Sequence, residues 1–249
     1  MTVQNICLIQ ARLESTRLPG KVLLPLYKDK CSIDLLSERL SRSKQITKLI
    51  FILPESKTSD VLYEYITSLG CSVERGSEQD LVMRHLKAVS SFQECNIIRI
   101  TSDCPLVDPA WVDKCISLYI TNNVDYCSTY TPANESLFCN GSDIEVFSKS
   151  TLEYMYDNFS LRKDREHVTF PLWDGRMKHI KHLKMSQFLD HDLSSARLTL
   201  DYREDLQVIR SLLSYTNDIH APLEKLVKCY HELSCELING GFDYAAGWK

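Results

Sequence analysis

The first hundred residues alternate between two periodicities, and that alternation restricts the fold more than any other feature of the chain. Compact apolar runs at 7–9, 49–53, around Val73 and at 96–101 have the length and composition of buried strands. Between them, apolar residues recur at helical spacing: Ile33, Leu35, Leu36 and Leu40; then Val61, Leu62, Tyr65, Ile66 and Leu69; then Leu81, Val82, Leu86 and Val89. Arg39, Arg42 and Lys44 lie near the end of the first helix, where cations favour the dipole, and Gly70 stops the second. The order β-α-β-α-β-α-β predicts a mostly parallel sheet with helices on both faces.

In such a sheet ligands gather beyond the carboxyl ends of the strands. The stretch 9–21, IQARLESTRLPGK, leaves the first strand at that edge and carries Arg12, Arg17 and Lys21. Guanidinium forks and loop amides suit the oxygens of a phosphate chain, so a nucleoside triphosphate is the first expectation, with a solvated basic loop as the plain alternative. Arg75-Gly76-Ser77-Glu78 follows the third strand. Gly76 would let backbone approach a flat ring while Arg75 and Ser77 hydrogen-bond to it, unless the segment is an ordinary turn. The run TSDCPLVDP at 101–109 ends the fourth strand. Asp103 there suits Mg2+, which binds through one or two carboxylates and keeps phosphate oxygens and waters. Asp108 reads as the cap of a helix entered at Pro109, and Arg99 as a paired structural arginine.

The second half is less regular. A helix through Trp111, Cys115, Leu118 and Tyr119 leads to a strand at 124–130, then a polar loop at 131–142 able to shape a pocket. Asp143 and Glu145 alternate along a strand at 143–147, which puts both acids on one face, as a metal pair or a solvated one. A short strand at 198–201 precedes a helix with Leu206, Ile209 and Leu212 on one side, where Glu204 and Asp205 suit the helix N-terminus. A final helix runs through Leu223, Leu226, Tyr230 and Leu233 into a glycine-rich tail.

At 249 residues and 44% hydrophobic, the chain can bury a substantial core as one domain. Its net charge of -4, without a Lys/Arg block, argues against nucleic acid as partner. No apolar run approaches the roughly 20 residues that span a bilayer, and the start lacks a signal-peptide pattern. The ten cysteines form no CxxC pair and are expected as free thiols in a reducing, cytoplasmic compartment.

The stretch Gln10, Ala11, Arg12, Ser15, Thr16, Arg17, Leu18, Pro19, Gly20, Lys21 resembles the QAR-x-x-S-T-R-L-P-G-K opening of the SpsF-like cytidylyltransferases, relatives of the CMP-Kdo and CMP-sialate synthetases. Further blocks agree: RGSE with Asp80 and Arg84, D-x-P-L-x-D-P from Asp103, G-x-D-x-E-V-F from Gly141, R-E-H-V-T from Arg165, and L-T-x-D from Leu198. Glu14 and Ser102 stand where glycine is usual. The resemblance implies a Rossmann-like nucleotide-diphospho-sugar transferase fold, with a nucleotide-binding half at about 1–110, an acceptor and metal half at about 111–215 and a helical extension at about 216–249. It implies transfer of CMP from CTP to a small acidic sugar with release of pyrophosphate. Leu8, Gln10, Ala11, Arg12, Ser15, Arg17, Lys21, Arg75, Gly76, Ser77 and Asp103 would bind nucleotide, with Arg12, Arg17 and Lys21 catalytic. Asp103 and Asp201 would hold Mg2+. Asp143, Glu145, Arg165, Glu166 and His167 would face the acceptor, Arg165 clamping its carboxylate and Glu166 pairing with Arg165. A glycosyltransferase using Asp143 and Glu145 as a D-x-D element, and a non-catalytic binding module, are the rival readings. Homodimerisation is left open.

Overall fold

The computed structural model describes residues 3–129 and 136–242. The polar loop expected from Thr131 lies partly outside them, as does the end of the glycine-rich tail. The alternation of the first half folds as β1 (Gln4–Gln10), α1 (Ser32–Leu40), β2 (Lys48–Pro54), α2 (Asp60–Ser68), β3 (Ser72–Gly76), α3 (Leu81–Ala88) and β4 (Cys95–Thr101). The second half adds α4 (Pro109–Asn122), β5 (Tyr126–Ser128), β6 (Glu145–Ser148), α5 (Lys149–Asn158), α6 (Arg162–His167), α7 (Phe170–Trp173), β7 (His182–Lys184), α8 (Arg203–Thr216), α9 (Leu223–Glu232) and α10 (Glu236–Asn239).

The strands form one sheet in the order β3-β2-β1-β4-β6-β5-β7. Only β6 among them runs against the rest, since it is antiparallel to both β4 and β5 while every other pairing is parallel. Alternating side chains of the central strands enter two apolar layers. Cys7, Ile9, Ile98 and Ile100 pack towards α1, α2, α4, α8 and α9. Ile6, Leu8, Ile50 and Ile97 pack towards α3, α5 and α7. Each layer removes whole side chains from water, at about 25 cal/mol per Å² of apolar surface. The ten cysteines are unpaired, and all but Cys71 are buried as small apolar side chains. Among the described residues no helix is long and apolar enough to cross a membrane.

The chain runs outward from β1 through β2 to β3, then returns to place β4 on the other side of β1. That reversal opens a crevice at the carboxyl ends of β1 and β4, where Gln10 and Thr101 are paired in register. The structure differs from the expected strand at 198–201. Among the described residues this segment pairs with no strand of the sheet, and only the preceding Arg197 makes an isolated bridge, to Asn140. Instead, the Leu200 N–H donates to the Asp103 carbonyl at 2.8 Å and the Leu198 N–H to that of Asn140 at 2.7 Å. Asp201 therefore reaches Asp103 by pinning to the loop after β4, not by sharing a sheet edge with it. The strand expected from Asp143 begins at Glu145, leaving Asp143 in the preceding turn.

Two glycines shape this edge for different reasons. Gly20 has φ 67° with nothing near the position of a Cβ, so its role is to turn the basic loop into Lys21. Gly141 has φ 98°, and a Cβ there would lie 2.3 Å from the Thr199 nitrogen and 2.4 Å from the Leu198 carbonyl carbon. We therefore expect Gly20→Ala to cost about 1 kcal/mol, the usual left-handed penalty. Gly141→Ala should cost about 3 kcal/mol or more, because backbone must move. Urea unfolding of the two variants checks this ranking, and equal losses would contradict it.

Candidate active site

The crevice between β1 and β4 is a cleft of about 330 Å³ lined by Gln10, Ala11, Arg12, Ser15, Thr16, Arg17, Lys21, Thr101, Ser102, Asp103 and Asp201. Its walls follow from the ladder. The Ser102 N–H donates to the Gln10 carbonyl at 2.9 Å, so the loops after β1 and β4 leave the sheet side by side. The Arg12 guanidinium has no hydrogen-bond or ion-pair partner among the described residues, although the side chain lines the cleft.

At the cleft's floor the Lys21 ammonium lies 3.1 Å from Asp103 Oδ2 and 2.7 Å from Asp201 Oδ1. Arg17 Nη2 adds a third cationic contact, 3.0 Å from Asp201 Oδ1. Burial raises the Asp103 carboxyl, but Lys21 and the Thr101 hydroxyl outweigh it and hold Asp103 at about 2. Burial opposes the Lys21 charge as well, and the two carboxylates overcome it, raising the ammonium's pKa. Behind Asp201, Arg197 forms a two-pronged pair with Asp205 at 2.8 and 3.0 Å and reaches Asp201 Oδ2 at 3.8 Å. Asp205 in turn accepts the N–H groups of Asp201 and Tyr202, each at 2.9 Å, as the box that starts α8. A sequence model of the cytidylyltransferases matches residues 6–228, which include every one of these groups.

The chain belongs to the cytidylyltransferase family. It is thus a CTP-dependent nucleotidyltransferase. It is 32% identical over 216 residues to the spore coat polysaccharide biosynthesis protein SpsF of Bacillus subtilis, covering 82% of this chain and 84% of that one. A solved cytidylyltransferase from Leptospira borgpetersenii superposes with a TM-score of 0.88 at 30% identity, covering 98% of this chain and 100% of that one. A CMP:2-keto-3-deoxy-manno-octonic acid synthetase solved with CTP shares the fold at a TM-score of 0.64 and 13% identity, over 86% of this chain and 99% of that one.

Several residues expected at the nucleotide do not line this cleft of the cytidylyltransferase. Leu8 is fully buried in the sheet's apolar layer, so it supports the cleft without facing it. Arg75 is held by Asp60 at 2.7 Å and the Ser56 carbonyl at 2.6 Å, on the α2 side of the sheet. Gly76 is small because Arg84 packs on it, its Cγ only 3.0 Å from a would-be Cβ. Ser77 accepts the Asp80 N–H at 3.0 Å at the start of α3, and its carbonyl takes Arg84 Nε at 2.8 Å. This turn holds α3 to the sheet, and local hydrogen bonding explains its composition.

The acceptor candidates divide. Glu145 is buried, consumed by an ion pair with Arg99 and a hydrogen bond from the Tyr126 hydroxyl. It is therefore the counter-ion that lets Arg99 be buried in the sheet. Arg165 donates to the Tyr156 carbonyl at 2.8 Å, stacks 4.2 Å from that ring and approaches Asp80 at 3.6 Å. Glu166 is exposed and is not Arg165's ion-pair partner; Asp80 is. His167 is half-buried, and burial, opposed by Glu166, lowers its pKa, with Arg99 and Arg12 acting in the same sense as burial. It precedes Val168, whose φ of 53° and ψ of -67° make a tight γ-turn closed by the Thr169 N–H on the His167 carbonyl at 2.6 Å. A β-branched residue there is strained, which fixes the path of the chain beside His167.

Asp143 is not among the residues lining the cleft but lies beside Cys104, next to Asp103. The Cys104 thiol bridges it to Asp103, 3.7 Å from Asp143 Oδ2 and 3.8 Å from Asp103 Oδ1. Burial, then the charges of Asp103 and Glu145, push the Asp143 carboxyl from 3.8 up to about 7, against the pull of Arg99. Sequence reasoning missed this coupling because it joins two separate blocks about forty positions apart, and missed Arg197 because it lies outside every block. The folded chain keeps a proton on Asp143 between those two values that the unfolded chain has lost, so stability must fall as pH rises through that window. Asp143→Asn should be near neutral below pH about 4 and stabilise increasingly as pH rises, reaching a Tm gain of about 3 °C or more at pH about 8. Thermal unfolding of both proteins free of metal tests this, and a pH-independent difference would refute it.

Proposed function

We propose that this cytidylyltransferase transfers CMP from CTP to a small acidic sugar in the cleft between β1 and β4 and releases pyrophosphate. The observation that carries this reading is the convergence of Lys21 and Arg17 on Asp103 and Asp201, beside an Arg12 without a protein partner. Arg12, Arg17 and Lys21 would bind the phosphate chain and stabilise charge on the departing pyrophosphate. Such preorganised groups are worth on the order of 3 kcal/mol each in the barrier. Among the described residues, the N–H groups of Thr16 and Arg17 lack protein acceptors and add donors to the same wall.

The donor set fits Mg2+. Two carboxylates converge, both hard oxygen ligands, and among the described residues no set of three or more His, Cys, Asp or Glu forms a closed cage. Asp103 and Asp201 would hold the ion, leaving its other positions to phosphate and water. When bound, it would supply charge neutralisation at the reacting phosphate. Asp103, ionised down to about 2, is ready to act as a ligand at any physiological pH.

On the acceptor side, we assign His167, which feels the charge of Arg12 in the cleft, and Arg165 to the sugar acid. The rival glycosyltransferase reading loses its D-x-D element, because Glu145 is spent on Arg99. The names of the relatives, one in polysaccharide biosynthesis and one a synthetase of a sugar-acid nucleotide, favour the acidic acceptor. Ten unpaired cysteines suit a reducing compartment, and the proposal sets the reaction in the cytoplasm.

A panel of sugar acids assayed with CTP should give pyrophosphate for at least one of them, and comparable release from UTP, ATP or GTP would remove the cytosine preference. Asp103→Asn and Asp201→Asn should each lower turnover about 100-fold or more with the fold intact. Because both act through one ion, the double variant should be scarcely worse than either single one. Additive losses, or full activity in EDTA, would sink the shared-metal assignment.

A further inference from the structure

The family match ends at residue 228, while packed structure continues through buried Asn239 and half-buried Phe242. Asn239 is fully buried. Its amide nitrogen donates to the Arg197 carbonyl at 3.1 Å and to Asp205 Oδ1 at 2.9 Å, while its oxygen accepts the Tyr230 hydroxyl at 2.7 Å. A flipped amide would set its oxygen against the Asp205 carboxylate, so the orientation is dictated by chemistry.

Asp205 is likewise fully buried and collects five donors: Arg197 Nε and Nη2, Asn239, and the N–H groups of Asp201 and Tyr202. It thus ties the backbone at Asp201 to the C-terminal helices. Arg17 provides a second link, 3.0 Å from Asp201 and 5.1 Å over the Tyr202 ring, which stacks on Phe242 at 4.1 Å and 4°.

We propose that Asn239 is a positioning residue for the reaction: through Asp205 it fixes Asp201, so α10 and the end of α9, beyond the residues that the family model matches, complete the active site. This rests on the assignment of Asp201 as a metal ligand. Displacing such a group by about 1 Å is enough to lose on the order of 100-fold in rate. A residue that merely anchored α10 would lower the Tm and leave metal affinity and turnover of the folded protein unchanged.

The test compares the full chain with Asn239→Ala, Asn239→Asp, Tyr230→Phe and, as a control on the same helix, Leu237→Ala, whose side chain is 85% exposed. Mn2+ binding in the presence of CTP is followed by calorimetry, pyrophosphate release by assay and folding by circular dichroism, below every variant's Tm. Asn239→Ala and Asn239→Asp should weaken Mn2+ binding about 10-fold and lower kcat about 10-fold to 100-fold, with the KM for CTP nearly unchanged. Tyr230→Phe should show the same pattern more weakly, and Leu237→Ala none of it. If the Asn239 variants do not fold, Tyr230→Phe decides, since it removes one hydroxyl only. Unaltered Mn2+ affinity and kcat in the folded variants overturn the positioning role. Failure of the parent chain itself to bind Mn2+ with CTP overturns the assignment of Asp201, and this proposal with it; Mn2+ binding without turnover would fault the acceptor reading alone.

Discussion

One ammonium holds this structure's working parts together. Asp103 comes from the loop after β4 and Asp201 from a segment nearly a hundred positions later, and neither carboxylate would tolerate the other at close range without Lys21 between them. Two like charges sharing a site raise one another's pKa, a contribution that adds to burial in raising neighbouring Asp143. Asp103 escapes that fate because Lys21 reaches it, and Lys21 reaches it because Gly20 turns the loop through a left-handed step. The basic loop, the two carboxylates at the cleft's floor and the crossing segment thus depend on one another, although only the loop is local in sequence.

The same logic governs the other charges under the cleft. Arg99 is buried in a central strand with Glu145 and the Tyr126 hydroxyl for company, and its Nη2 reaches Gln10 Oε1 at 3.3 Å. Since arginine can only donate, the Gln10 oxygen faces Arg99 and its amide hydrogens are left for the cleft. Arg84 and Arg39 are satisfied differently, by backbone carbonyls, and burial accordingly pushes each guanidinium down to about 10. Breaking a buried pair by removing one partner is far costlier than never having had it. The network therefore fixes geometry more than it adds stability.

How much of this was legible in the sequence follows from how local each cause is. Strand and helix periodicity in the first half reflects burial of neighbouring residues, and the elements from β1 to β4 lie where that periodicity puts them. The cleft residues of the first loop and Asp103 were legible for the same reason: they follow apolar strands directly. Arg75 and Ser77 are engaged in local hydrogen bonds, and a turn that hydrogen-bonds to itself has the same composition as one that binds a base. Glu145 was misread because its partner, Arg99, lies on another strand, and pairing across a sheet leaves no mark at fixed spacing. Asn239 was invisible altogether, since its partners at 197, 205 and 230 share no motif with it.

The two positions where this chain departs from its family's pattern bear on whether the loop can work. A glycine is indispensable only where φ is positive or a Cβ would collide. Neither Glu14 nor Ser102 is among the residues of positive φ, so neither backbone position needs the freedom that glycine gives. Ser102 is buried and keeps its place in the ladder through its N–H on Gln10. Glu14 is exposed, and its carboxylate accepts the Thr58 hydroxyl, in the turn before α2. An acid near a phosphate site would repel the ligand if it faced the cleft. Turned to Thr58, it ties the outer limb of the loop to the neighbouring turn and leaves Arg12, Arg17 and Lys21 as the charges the cleft presents.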